Sequence, residues 1–137
     1  MLLSARFLND VANVNSFEYA QVGQFTRGEA ASVYFQLIDA SLDGALRGFE
    51  PSGRRYIPAT GATLSVVVNS IDDGKKITRF ATNPFPNDTS IWKLDFLPTD
   101  KIDGTATMQL TLTEGSVVRK GLVKNGLRIA SDTGTCG

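Results

Sequence analysis

The sequence predicts an all-β domain, an antiparallel β-sandwich of about eight strands with jelly-roll-like or immunoglobulin-like character. Three observations carry this. Short segments alternate apolar and polar residues with a period of two, the mark of strands buried on one face. Clusters of Gly, Asn, Asp and Pro separate those segments at turn spacing. No stretch carries a convincing helical pattern over several turns. The spacing of these strands is that of a sandwich.

In residues 1–14, Phe7, Leu8, Val11 and Val14 have approximate helical spacing. Asn9, Asp10 and Asn13 are turn formers that interrupt it. The segment reads as an N-terminal arm with a short strand near residues 3–8. Its apolar residues, Phe7 and Val11 among them, either cover the domain's own core or dock on a neighbour. Residues 15–130 are then the sandwich and residues 131–137 a tail without a core-forming pattern.

Residues 17–22 alternate, with Phe17, Tyr19 and Gln21 on one side. After the turn Thr26-Arg27-Gly28-Glu29, residues 31–39 place Val33, Phe35 and Leu37 inward. The two segments are expected to form a hairpin. Residues 40–61 are the longest irregular stretch, punctuated by Gly44, Gly48, Gly53, Gly61, Pro51 and Pro58. Here Arg47, Arg54 and Arg55 sit beside Phe49 and Tyr56, residue types that favour protein interfaces. The alternative is a solvated loop with Tyr56-Ile57 as an edge strand.

Residues 62–69 are a β-branched strand whose valine run argues for burial on both faces over part of its length. Asp73-Gly74 marks a tight turn into the strand 76–81. Pro84 and Pro86 stiffen the loop 82–88, which carries Phe85. Residues 90–96 put Trp92, Leu94 and Phe96 on one face. In residues 104–113, Ala106, Met108, Leu110 and Leu112 oppose a row of Thr and Gln. Glu114-Gly115-Ser116 reverses the chain into a last strand ending at Ile129, within which Asn125-Gly126 marks a turn or a bulge.

Composition excludes several chemistries. Lys+Arg and Asp+Glu are 14 each, so there is no basic excess of the kind that wraps nucleic acid. There is no His, and the one Cys, Cys136, stands second from the end. That leaves no intrachain disulfide, no Cys/His zinc site within one chain and no His-based catalytic set. No cofactor is expected. Asp72-Asp73-Gly74 lacks the further carboxylates of a calcium loop, with Lys75 and Lys76 where ligands would stand. Asp95, Asp100 and Asp103 have no fixed separation and read as residues near turns. No apolar run reaches signal-peptide or membrane-helix length, so no membrane partner is expected.

Several motifs, taken in order, resemble a known class. They are the turn Gly23-Gln24-Phe25-Thr26-Arg27-Gly28-Glu29 and the strand Val33-Tyr34-Phe35-Gln36-Leu37-Ile38-Asp39. Pro58-Ala59-Thr60-Gly61-Ala62-Thr63-Leu64, Trp92-Lys93-Leu94-Asp95-Phe96 and Gly104-Thr105-Ala106 follow, and the chain closes on Val123-Lys124-Asn125-Gly126-Leu127-Arg128-Ile129. This order resembles the small β-sandwich domains of tailed-phage virions, in particular the N-terminal domain of baseplate upper proteins. The resemblance implies a non-enzymatic structural subunit of a tail, baseplate or head surface, made in the host cytoplasm and residing in the virion. It implies a homo-oligomer with other virion structural proteins as partners. Candidate contact residues are Phe7, Val11, Arg47, Phe49, Arg54, Arg55, Tyr56 and Phe85. The alternative is a carbohydrate-binding or adhesin module, with Tyr34, Phe49, Tyr56 and Phe85 as its stacking platform for a glycan.

Overall fold

The computed structural model describes residues 3–10, 18–20, 23–39, 46–47, 50–51, 54–71, 74–100, 102 and 104–130. For residues 9, 10, 18–20, 46, 47, 50, 51 and 54 it describes the backbone. Among these residues the regular structure is all β. The strands are β1 (Leu3–Asp10), β2 (Glu18–Ala20), β3 (Gly23–Thr26), β4 (Ala31–Asp39), β5 (Leu46–Arg47), β6 (Glu50–Pro51), β7 (Arg54–Arg55), β8 (Thr63–Ser70), β9 (Lys76–Ala81), β10 (Ile91–Phe96), β11 (Gly104–Glu114) and β12 (Val117–Ala130).

Seven strands follow the order β10-β4-β1-β12-β11-β8-β9. Neighbours are antiparallel except β1 and β12, which run parallel with Leu3 opposite Gly121. β2 adds to β1, β7 adds to β4, and β3 lies parallel to β12 along residues 127–130. The two ends of the path meet where Thr82, just past β9, exchanges backbone hydrogen bonds with Lys93 of β10 at 3.0 and 2.7 Å. The sheet therefore winds round almost to closure. Two stacked antiparallel sheets were expected; one mixed, nearly closed sheet is found.

Alternation determines which side chains fill the interior. Leu3, Ala5 and Phe7 of β1 point in, as do Val33, Phe35 and Leu37 of β4. Leu64, Val66 and Val68 come from β8, and Trp92, Leu94 and Phe96 from β10. Ala106, Met108, Leu110 and Leu112 come from β11. All are in one contiguous core. The valine run of β8 is buried on one face only, since Val67 is half-exposed.

The β11–β12 hairpin has a two-residue turn. Gly115 takes φ 58 and Glu114 pairs with Val117, so Gly stands at the first central position, as a type II′ turn requires. Further along, two residues of β11 (Ala106 to Met108) span four of β12 (Leu127 to Val123). Asn125 sits in this bulge at φ 55 and donates its N–H to Thr107 Oγ1 at 3.1 Å. The bulge adds an even number of residues, so Val123 and Leu127 both still face inward.

Phe7 explains the glycine next to that bulge. A Cβ on Gly126 would stand 2.9 Å from Phe7 Cε2, and one on Gly23 would stand 2.9 Å from Phe7 Cδ1. The ring occupies the space both residues leave, and meets Phe35 edge-on at 6.4 Å. At the far end of the sheet Phe25 stacks on Phe96 with centroids 4.0 Å apart.

Two expectations need correction. Residues 3–10 are not an arm. They form a strand between β4 and β12, because Leu3, Ala5 and Phe7 supply core volume that nothing else fills. The expected hairpin between residues 17–22 and 31–39 is also absent. The turn at Gly28 (φ 89) exists, but β3 pairs with β12 rather than β4, and β2 pairs with β1.

Deleting residues 1–14 should therefore abolish cooperative unfolding, as read by circular dichroism in urea; a retained sigmoidal transition would contradict the placement of β1. Trp92 offers a second check. It is 2% exposed, and its indole N–H finds no acceptor among the described residues. Trp92→Ala should cost about 3–5 kcal/mol of stability. Trp92→Phe keeps most of the packing and removes the unsatisfied donor, so its cost should stay below about 1.5 kcal/mol.

Candidate functional site

The polar side chains that the fold buries fall into three clusters, each of which fastens one connection. The first lies outside the core on β1 and β4. Arg6 donates from Nε and Nη2 to Gln36 Oε1, at 3.0 and 2.8 Å. Gln36 donates to Ser90 Oγ at 3.1 Å, and the Ser90 hydroxyl and backbone N–H both donate to Asp88 Oδ1. Arg55 completes the chain with an ion pair to Asp88 Oδ2 at 3.2 Å. Gln36 and Ser90 are 3% and 0% exposed, so these bonds satisfy groups that would otherwise be buried unpaired. The cluster ties the loop before β10 to β4 and β7.

The second cluster lies at the hairpin end of the sheet, around Glu114. Its carboxylate accepts from the Tyr56 hydroxyl at 2.7 and 2.9 Å, from the Ala59 backbone N–H at 2.9 Å and from Arg119 Nε at 2.9 Å. The Arg119 guanidinium also stands 5.9 Å from the centre of the Tyr56 ring. Burial works to raise the Glu114 pKa. The donors from Ala59, Tyr56 and Arg119 outweigh it and hold the carboxyl below its ordinary value. Burial, and then the neighbouring carboxylate, push the Tyr56 hydroxyl up. The result is a pin that holds residues 56–59 across the end of the sheet.

The third cluster sits at the join between β9 and β10. Arg79 binds Asp100 through two nitrogens at 2.7 and 3.1 Å and donates to the Asp95 carbonyl at 3.0 Å. Asp100 also accepts from the Leu97 N–H at 2.7 Å. The Arg79 bonds hold the Asp100 carboxyl below the ordinary value. Below the Thr82–Lys93 bridge the two strands draw apart, and a side chain spans the gap that backbone bonds leave.

The predicted contact residues are not brought together as one site. Phe7 is buried in the core at 2% exposure. Its side chain offers no contact surface in the folded chain. Val11 and Phe49 lie outside the described residues. Arg47 belongs to β5 and Arg54 to β7, and the structure describes their backbones. Arg55 is exposed and paired with Asp88. Tyr56 is half-buried, its hydroxyl held by Glu114. The strand expected at Tyr56-Ile57 is found two residues earlier, at Arg54–Arg55. Phe85 and Tyr34 are half-buried.

The outward face of β9, β8, β11 and β12 was not anticipated as a contact surface. Register places Phe80, Ser65, Thr111 and Lys120 in one row, and Thr78, Val67, Gln109 and Leu122 in the next. Phe80 is 67% exposed, Val118 55% and Leu122 51%. The alternation of residues 76–81 could have revealed this, because Phe80 falls in the same phase as Lys76 and Thr78.

Among the described residues no group of three or more His, Cys, Asp or Glu could hold a metal ion, and no helix is long and apolar enough to cross a membrane. Comparison with known proteins found no matching family model, no matching curated protein and no matching solved structure.

The lowered carboxyl pKa values set the sign of a pH dependence. Both groups bind protons more weakly folded than unfolded. They stabilise the fold above the unfolded-state pKa, and that contribution is lost as pH falls through the folded value. The urea midpoint should therefore drop as pH falls below about 5. Glu114→Gln should lower the midpoint at neutral pH and flatten the acid limb; an unchanged acid limb would show that the pin is not ionised in the fold.

Proposed function

We propose that this chain is a non-enzymatic structural subunit that assembles in multiple copies through its sheet, as the small β domains of a tailed-phage virion do. The observation that carries the reading is the outward face of β9, β8, β11 and β12, where Phe80, Val118 and Leu122 stand exposed among short polar side chains. Mixed apolar and hydroxyl surfaces of this kind serve contact between proteins better than binding of a small ligand. The placement in a virion, in a tail, baseplate or head surface, rests on the order of sequence motifs described above. The neighbours are then copies of this chain and other virion structural proteins.

The carbohydrate-binding alternative is less well supported. Tyr56, a member of its platform, has its hydroxyl committed to Glu114 and its ring beside Arg119.

Multi-angle light scattering over a wide range of concentrations tests the proposal. A discrete oligomer is expected. A chain that is monomeric at every concentration, and that binds a glycan on an array, would overturn it in favour of the alternative.

A further inference from the structure

Which part of the surface joins the copies is a separate question, and its answer rests on the assembly reading just given. The path of strands ends at β9 on one side and β10 on the other. Their free edges are not equivalent. On β10, the Lys93 N–H and carbonyl are bonded to Thr82, and the Asp95 carbonyl accepts from Arg79. The Leu97 N–H donates to Asp100, and its carbonyl accepts from the Asp100 N–H. That edge is largely capped by its own chain.

The β9 edge is open. Thr82 directs both backbone groups away from β8, towards Lys93, while Lys75 directs its carbonyl to Ser70 at the end of β8. Strand alternation then turns the backbone groups of Phe80, Thr78 and Lys76 outward, away from β8. β9 pairs only with β8 among the named strands. Such an edge is a template for one more strand, with the main chain supplying the bonds and alternate side chains the selectivity.

We infer that β9 is the self-association edge, pairing antiparallel with β9 of a second copy about a two-fold axis through Thr78. The side-chain pattern selects this occupant and this register. With Thr78 opposite its own copy, Phe80 lies opposite the second copy's residue 76, and Ile77 opposite its residue 79. The Lys76 stem then packs on the Phe80 ring, with its ammonium at the rim. No like charges face each other. A shift of one residue, to an axis through Ile77, sets residue 75 opposite residue 79, a Lys against an Arg. An axis through Arg79 sets that arginine against itself. Cross-strand pairs of like charge are destabilising, so the lysine that deters indiscriminate edge pairing is accommodated in one arrangement. A two-fold contact is closed, which yields a discrete dimer rather than a fibre. Formal net charge is zero, so no long-range repulsion opposes the approach.

Sedimentation equilibrium on the full chain and three variants tests this, with urea unfolding to confirm that each is folded. Phe80 is 67% exposed, so Phe80→Lys should leave stability near that of the wild type. It places lysine opposite lysine twice in the dimer, and should weaken dimerisation at least about tenfold. Adding Lys76→Glu to Phe80→Lys should restore it. Thr78→Pro removes an outward N–H without touching the β8 ladder, and should also weaken the dimer. If the wild type self-associates and Phe80→Lys does so equally well, the β9 edge is overturned while the assembly reading stands. If the wild type stays monomeric at every concentration, both fall.

Discussion

One parallel contact holds the molecule in a single piece. Without the pairing of β1 and β12 at Leu3 and Gly121, the strands would divide into two antiparallel sets, β10-β4-β1 and β12-β11-β8-β9. Each set is a plausible half of a sandwich, and each turns its apolar phase to a common core. The contact is close because Gly121 has no side chain. A Cβ there would stand 2.2 Å from the Leu3 carbonyl oxygen, a backbone atom with no freedom to move aside. The Thr82–Lys93 bridge does the corresponding work on the opposite side. It is a weaker join, one pair of hydrogen bonds reinforced by the Arg79 side chain.

The polar clusters follow from that architecture. A sheet that winds almost to closure still has two ends and one imperfect join. The Glu114 pin crosses one end, the Arg79–Asp100 pair braces the join, and the Gln36–Ser90–Asp88 chain secures the loop leading into β10. Each buried or half-buried polar group named there has a partner, which makes these clusters structural fastenings. What is left for encounters with other molecules is the outward face of four strands and the edge of β9. Function is therefore sought on the outside of the sheet and not in its interior, which is filled by side chains.

Much of the fold could be read from residue alternation. The inward residues of β4, β8, β10 and β11 follow directly from period two, and the Glu114-Gly115-Ser116 reversal and the Asn125 bulge were marked by their turn chemistry. The first strand was obscured because Asn9 and Asp10 end it with turn formers, so Phe7 looked like part of an arm. The β3–β12 pairing leaves no local trace, since residues 24 and 128 are joined only in the folded chain. The contact surface was read less well. Tyr56 was singled out for its residue type, but the carboxylate that binds it is 58 positions away. Phe80 was passed over although its phase places it among the polar residues of its strand.

The β1–β12 contact also orders events in time. Every hairpin in the sheet can form from neighbouring stretches of chain, but this pairing joins residue 3 to residue 121. Closing so long a loop carries a high entropic cost, and topologies dominated by such contacts fold slowly. A growing chain can lay β1 against β4 early, yet β12 is almost the last segment to arrive. Until it does, the interior face of β1 has no partner across the gap, and Phe7 lacks the glycine against which it seats. The half-built sheet is thus a sticky intermediate, and the last fourteen-residue strand is what removes it from reach of its neighbours.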